Sequence, residues 1–237
     1  MVPPPATPPG NFLLEKLPAE QRSRLLEDAS EVTHNLRDVV FEQGDAIEHV
    51  YFPLTGMISL LTVLDDGTSL ESLPVGYEGM AGLSLFHGVE LHRFKGLCQI
   101  GGKFIRIPAD AFLRFVQTSA ELQRVLHRYS EFVTDAIAQY AACNSVHSMD
   151  QRCARWLLLT RDAARSDTFL VTQESLAQML AVRRPGVTNV MGRLERKNLL
   201  TNSRGKVTII DSEGLLRHCC ECYRATVVLR ERLILRA

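Results

Sequence analysis

The pattern of the chain predicts an α+β fold in three parts: an N-terminal antiparallel β-roll, a long helix and a C-terminal winged helix-turn-helix. Three observations lead there. Between Leu36 and Pro108, short β-rich runs are separated by glycine-containing turns. From Ser119 to Ser145, apolar residues recur at steps of three and four, the period of one helix face. From Thr172 to Leu200, two short amphipathic stretches flank a tight turn and run into a hairpin pattern.

The proline-rich start, MVPPPATPPGN, fits an extended or disordered arm over residues 1–11, and the roll is assigned to 12–118. Its candidate strands are Val39 to Phe41, Val50 to Phe52, Met57 to Val63, Ser69 to Pro74 and Phe104 to Ile107. Asp66-Gly67 between two apolar runs is a strong hairpin signal, because the turn needs positive φ and glycine adopts it without a steric penalty. A short helix is expected over Asp110 to Val116, then the long helix over 119–146. Its apolar stripe includes Leu122, Leu126, Tyr129, Val133, Ile137 and Tyr140. Such a helix would be about 40 Å long, more than one small domain covers, so the stripe is expected to pair with its equivalent in a second copy. Asn144 to Met149 reads as a hinge into the last domain, 147–237, where a helix over Gln151 to Ala164 buries the single tryptophan, Trp156, in a core. Leu199 to Ile210 reads as a two-stranded wing with Ser203-Arg204-Gly205-Lys206 at its tip.

The chemistry of the helix pair points to duplex DNA. Leu176, Met179 and Leu180 fall on one face of the first helix, and Val187, Val190, Met191 and Leu194 on one face of the second. The outer positions hold Arg184, Thr188, Asn189, Arg193 and Arg196, side chains that donate to phosphates or hydrogen-bond base edges. Arg183 or Arg184 opens the second helix, and Pro185 sits in its first turn, where a missing N–H costs nothing. Arg184 suits a bidentate guanine contact, Asn189 suits adenine and Thr188 suits a thymine methyl or a phosphate, while Arg193, Arg196, Arg204 and Lys206 read as backbone contacts. Charge supports this reading. The chain is formally neutral, but residues 150–237 hold 16 Lys plus Arg against 9 Asp plus Glu, and residues 1–149 hold 11 against 18. A basic C-terminal part attracts nucleic acid, while the acidic part is repelled by it.

Other classes are disfavoured. No apolar run reaches the roughly 20 residues that a membrane span requires, and the first residues lack the basic start and apolar stretch of a signal peptide. The six cysteines, Cys98, Cys143, Cys153, Cys219, Cys220 and Cys222, follow no disulfide-framework spacing, so a reducing cytoplasm is expected. His34, His49, His87 and His92 form no closely spaced metal pair, and neither a Gly-x-Ser-x-Gly elbow nor a phosphate-cradling glycine loop is present, so no enzyme is expected.

These residues together resemble the Crp/Fnr family of bacterial transcription regulators over nearly the whole chain after residue 12. The most specific matches are Gln43-Gly44-Asp45 followed by Val50-Tyr51-Phe52 and Gly56, and Thr172-Gln173-Glu174-Ser175-Leu176-Ala177 through Val187-Thr188. The resemblance implies a roll like that of cyclic-nucleotide-binding domains, a homodimer joined by the long helix, a reader that includes Thr172 and Gln173, and contact with RNA polymerase. It also implies a small effector in the roll, with Glu78, Met80, Leu83 and Arg93 as candidate pocket residues. In the members that bind cyclic AMP, a glutamate holds the ribose hydroxyl and an arginine with a neighbouring Ser or Thr holds the phosphate. Here Met80 stands in place of that glutamate and Arg93 lies in His92-Arg93-Phe94, so another effector, or none, is expected. A vestigial roll used for protein contacts is the alternative. No cysteine precedes Cys98, which excludes the family's N-terminal iron-sulfur cluster. A haem-based gas sensor, suggested by His87, His92 and the proline-rich start, is a remoter alternative. The family's frequent base-reading glutamate is Pro185 here, so its best-known operator is not carried over.

Cys219-Cys220-Glu221-Cys222 remains outside this scheme. No second half of a zinc-finger spacing is present, so the three thiols are read as small apolar residues packing a terminal helix, with no metal and no cofactor assigned; a zinc or copper site or a redox pair, as in a thiol- or metal-based sensor, is the alternative.

Overall fold

A computed structural model describes residues 10–235 of the chain. Most of the arm expected over 1–11 therefore lies outside the described residues, but Asn11 does not and is no part of a free arm. It is buried, its Oδ1 accepts from the backbone N–H groups of Leu13 and Leu14, and its Nδ2 donates to the carbonyls of Pro53 and Gly79 at 3.1 and 2.7 Å. This cap starts the short helix α1 (Phe12–Glu15), which is followed by α2 (Ala19–Leu25).

The roll consists of β1 (Ser30–His34), β2 (Val39–Phe41), β3 (His49–Pro53), β4 (Met57–Val63), β5 (Ser69–Val75), a 3-10 turn (Leu83–His87), β6 (Lys95–Ile100) and β7 (Gly102–Pro108). All strand pairs are antiparallel, in two sheets ordered β1-β7-β3 and β2-β6-β4-β5. The Asp66-Gly67 hairpin joins β4 to β5 as expected, with Gly67 at φ 82° and the Asp66 carboxylate accepting from Thr68 N–H. Strands β1 and β6 escaped the sequence reading. β1, SEVTH, has only partly buried apolar positions, and β6, KGLCQI, carries a glycine early in its run, where a Cβ would strike the Phe41 ring at 2.4 Å.

Helix α3 (Ala109–Thr118) leads to α4 (Ala120–Val146), whose 27 residues span about 40 Å. Ser119 caps α4 by accepting from Leu122 N–H and donates its own hydroxyl to Gln21. The expected use of its stripe is corrected by the structure. Leu122, Leu126, Tyr129 and Tyr140 are buried within this one chain, the tyrosine hydroxyl of Tyr129 donates to Met80 O at 3.0 Å, and Val133 and Ile137 are half-buried. Leu122, Leu126, Tyr129 and Tyr140 are thus covered within the chain and are not free to face a second copy, whereas Val133 and Ile137 stay partly exposed. The outer side of α4 includes Arg124, His127, Glu131, Thr134, Ala138 and Ala141.

The expected hinge over Asn144 to Met149 is shorter, because α4 runs to Val146 and α5 (Met149–Ala164) starts after His147 and a Ser148–Gln151 capping box. Beyond it lie β8 (Thr168–Leu170), α6 (Gln173–Met179), α7 (Arg184–Arg196), β9 (Leu200–Ser203), β10 (Lys206–Ile209), α8 (Ser212–His218), α9 (Cys222–Arg230) and a final π turn (Glu231–Leu235). The wing has three strands in the order β8-β10-β9 rather than two. Arg204 and Gly205 at its tip both have positive φ, 52° and 77°, as a two-residue hairpin turn requires. The three thiols are not on one helix: Cys219 and Cys220 lie in the break between α8 and α9, and Cys222 opens α9. Among the described residues no helix is long and apolar enough to cross a membrane.

Candidate nucleic-acid interface and effector pocket

The reader is assembled by apolar contacts. Val187, Val190, Met191 and Leu194 of α7 and Leu176, Ala177, Met179 and Leu180 around α6 share one core with Leu157, Phe169 and Val207. Thr172 caps α6 by accepting from Ser175 N–H at 3.0 Å. Between the two helices Ala181 turns the chain at φ 53°, a conformation more usual for glycine.

This packing leaves one face of α7 outward. Arg183, Arg184, Pro185, Thr188, Asn189 and Arg196 are exposed, as are Arg204 and Lys206 on the wing. Thr188 donates to Gln173 Oε1 at 2.7 Å, tying the start of α6 to the outer face of α7. Arg193 is placed differently from the rest. Its guanidinium makes two hydrogen bonds to the Asp150 carboxylate, Nε to Oδ1 at 2.8 Å and Nη2 to Oδ2 at 2.6 Å. Those bonds hold the Asp150 carboxyl below the usual range. Arg193 thus clamps α7 to α5, and its use as a phosphate contact would first require breaking that pair.

The first helix of the reader rests on the roll. Ser175 Oγ donates to Gln99 Oε1 at 2.9 Å, Gln178 Nε2 to Ser69 Oγ at 2.5 Å, and Arg37 faces Glu174 at 3.9 Å. Behind it Trp156 Nε1 donates to Glu71 Oε2 at 3.0 Å, while Ser59 Oγ donates to the other carboxylate oxygen at 2.5 Å. Burial raises the Glu71 carboxyl to about 7 in spite of these donors. Trp156 is a core residue, as expected, and its indole N–H also bridges to the roll.

A cavity of about 310 Å³ opens between the roll and α4. Met80, Leu83 and Arg93 line it, and so do Phe41, His92, Phe94, Tyr129 and Ser130, which the sequence reading had not placed there. Glu78 does not line it. It is buried beside Gly76, whose N–H it accepts at 3.3 Å, and its charge acts on Arg230 of α9. His92 lies flat on Phe41, with ring centroids 3.8 Å apart at 6°, and burial pushes it down to about 4, which keeps it neutral at physiological pH. His87 Nε2 lies 2.9 Å from Ser130 Oγ. The signal for Tyr129 and Ser130 was hidden because the α4 stripe was assigned to a second copy.

Residues 151–218 match the family of the Crp-like helix-turn-helix domain. That part of the chain is similar to Crp-like helix-turn-helix domains. The solved structures it resembles extend that likeness to the roll and the long helix. FixK2 from Bradyrhizobium japonicum is similar with TM-score 0.66 at 14% identity, over 81% of this chain and 98% of that one. A putative transcriptional regulator of the Crp/Fnr family from Eubacterium rectale gives 0.65 at 18%, over 90% and 97%. CLP, the c-di-GMP-responsive global regulator of Xanthomonas campestris, gives 0.64 at 18%, over 81% and 99%. Comparison with curated proteins found no match. The chain therefore has the fold of Crp/Fnr regulators, with its Crp-like helix-turn-helix domain docked on the roll through α6 and its α7 facing outward.

Proposed function

We propose that the chain is a sequence-specific DNA-binding transcriptional regulator of the Crp/Fnr type that works as a homodimer and takes a small effector other than cyclic AMP in its roll. The observation that carries this is the outer face of α7, where Arg183, Arg184, Thr188 and Asn189 are exposed at the first turns of a helix held rigidly by its apolar side. A helix so mounted enters a major groove with its N-terminal residues at the base edges, and exposed Arg196, Arg204 and Lys206 flank it as phosphate donors. Thr172 and Gln173 sit where the preceding helix would approach the backbone.

Dimerisation is supported by the geometry of DNA rather than by the apolar stripe of α4. One recognition helix covers a single half-site, and two related by a two-fold axis reach successive major grooves roughly 34 Å apart. The contact would use the outer side of α4, where Arg124, His127, Ala138 and Ala141 remain exposed. RNA polymerase is the protein partner such a regulator addresses.

The effector reading is supported by the cavity. Its volume is at the lower end of ligand pockets, its walls combine aromatic and aliphatic side chains with the hydroxyls of Ser84, Ser130 and Thr134, and Arg93 and Glu131 supply one cation and one carboxylate. A small ligand with an apolar body and polar ends suits those walls. Cyclic AMP is disfavoured on the family's pattern, because Met80 stands in place of the glutamate that holds its ribose hydroxyl. Selection of bound sequences from a random duplex pool, repeated at several salt concentrations, tests the function. A two-fold-symmetric site with half-sites about one helical turn apart is expected; enrichment of a single unrepeated half-site by the folded protein would refute the dimeric reader. Cyclic AMP is expected not to bind in the micromolar range, as read by calorimetry.

A further inference from the structure

Cys143, His147, Cys220 and Cys222 come together at the joint between α4 and α9, far apart in sequence but with all four donor atoms within 4.8 Å of one another. Cys143 lies in the last turn of α4, and His147 caps the helix just past its end. Cys220 lies in the break that precedes α9 and Cys222 opens α9, and their sulfurs meet Cys143 and His147 respectively. From these four residues we infer a closed zinc site that fastens the C-terminal helix to the end of the long helix.

The distances suit a tetrahedral ion. Cys143 Sγ lies 3.5 Å from Cys220 Sγ, and Cys222 Sγ lies 3.5 Å from His147 Nδ1. Ligand atoms at Zn–S lengths near 2.3 Å stand about 3.7 Å apart at the corners of a tetrahedron, so these two pairs already have the spacing and side-chain shifts of about 1 Å at most bring all four onto one ion. The surroundings match as well. His147 presents Nδ1 to the cluster and Nε2 to Glu221 Oε1 at 3.3 Å, so a carboxylate fixes the ring from outside, as is usual for histidine ligands. Gln139 Nε2 donates to Cys222 Sγ at 3.0 Å, a bond that a metal-bound thiolate accepts even better than a thiol.

Charge balance adds an independent argument. The Arg155 side chain is buried, lies 3.9 Å over the Tyr140 ring, and leaves Nε and Nη1 without hydrogen-bond partners. It interacts electrostatically with the buried Glu71 carboxyl and with Cys143 and Cys220. A buried cation is costly unless it is paired, and zinc held by three thiolates and one neutral imidazole carries a net charge of −1. Arg155 would then face a second anionic centre besides Glu71. Four protein donors leave no open position, which is the arrangement of a structural rather than a catalytic site, and thiolates select zinc over magnesium or calcium. Cys219, although adjacent, lies outside the four.

The test uses the full chain purified under reducing conditions and supplied with zinc, then with cobalt(II) in its place. One zinc per chain that survives gel filtration is expected, together with the intense visible absorption of tetrahedral cobalt bound to thiolates. Cys222→Ser and His147→Ala should each abolish stoichiometric zinc, Glu221→Gln should weaken zinc binding by about tenfold or more, and Cys219→Ser should keep the ion. Wild-type protein treated with a chelator gives a second reading if a variant fails to fold: its melting temperature should fall and recover when zinc is returned. Folded wild-type protein with free thiols, sub-stoichiometric zinc and no tetrahedral cobalt spectrum would overturn the proposal. So would zinc retained in Cys222→Ser and His147→Ala, or a Cys143–Cys220 disulfide in protein prepared without oxygen.

Discussion

The two helices of the reader share one core yet turn their polar residues to different surroundings. Helix α6 sets Ser175 and Gln178 against Gln99 and Ser69 of the roll, whereas α7 sets Arg183, Arg184 and Asn189 in solvent. The first helix is therefore the joint, and the second carries the exposed face proposed to meet DNA. A change in the packing of β5 or β6 acts on α6 directly, and α7 moves with it because Val187, Val190 and Leu194 are locked into the same core.

The most severe way to break this arrangement is Trp156→Ala. The side chain shares a core with Met57, Leu61 and Ile100 of the roll as well as with the reader, so its removal should cost about 3–5 kcal/mol in urea unfolding. A cost under about 1 kcal/mol would show that roll and reader are not one packed body.

Glu71, the partner of Trp156, makes the joint depend on pH. Its carboxyl is raised from 4.5 to about 7, so the native state binds a proton that the unfolded chain has already lost across that interval. The stability from this group is complete below the unfolded value and is lost as pH rises through about 7. The full swing is on the order of 3 kcal/mol. Glu71→Gln should remove it, and the stability difference between variant and wild type, followed by denaturant melts from acid to neutral pH, should change with that slope. His92, lowered to about 4, acts in the opposite sense, since its contribution is lost as pH falls. It cancels from the difference because both proteins carry it.

Arg184→Ala and Ser175→Ala sharpen the contrast between the helices. The first should cost about 1–3 kcal/mol of specific DNA binding and relax one operator position while the melting curve stays in place. Unchanged operator affinity would mean that another part of α7 meets the bases. The second should cost about 0.5–1.5 kcal/mol of stability and speed amide exchange in α6, with base preference unaltered. Exchange that rises equally in α7 would show that the two helices open together rather than at the roll.

The sequence disclosed what depends on local rules. The period of Leu176, Met179 and Leu180, the Asp66-Gly67 turn and the long stripe of α4 each reflect a single element's geometry, and each is found where the pattern placed it. It concealed what depends on which surface covers which. The α4 stripe needed cover, but periodicity does not say whether that cover is a second copy or the same chain, and Tyr129, bonded to Met80, proved to be internal. Arg193 has the composition of a phosphate contact and the geometry of a clamp, because Asp150 lies 43 residues earlier and no spacing rule links them. Glu78 was drawn into the pocket by its neighbours in sequence, yet it lies in the turn after β5 and its charge acts on Arg230 of α9. The cysteines posed the same difficulty: the partners of Cys220 and Cys222 are Cys143 in the last turn of α4 and His147 just past it, more than 70 residues away.

The tail that follows the wing has a bearing on biogenesis. Leu229 and Leu233 pack into the same core as Leu13, Leu14 and Phe132, so the last residues of the described chain complete a core begun by the first. During vectorial synthesis the roll emerges early, but its apolar seam along α4 stays open until the C-terminal helix leaves the ribosome. Ending translation after the wing would thus leave the N-terminal half with an exposed seam, and cutting the chain between sensor and reader would not yield two self-sufficient pieces.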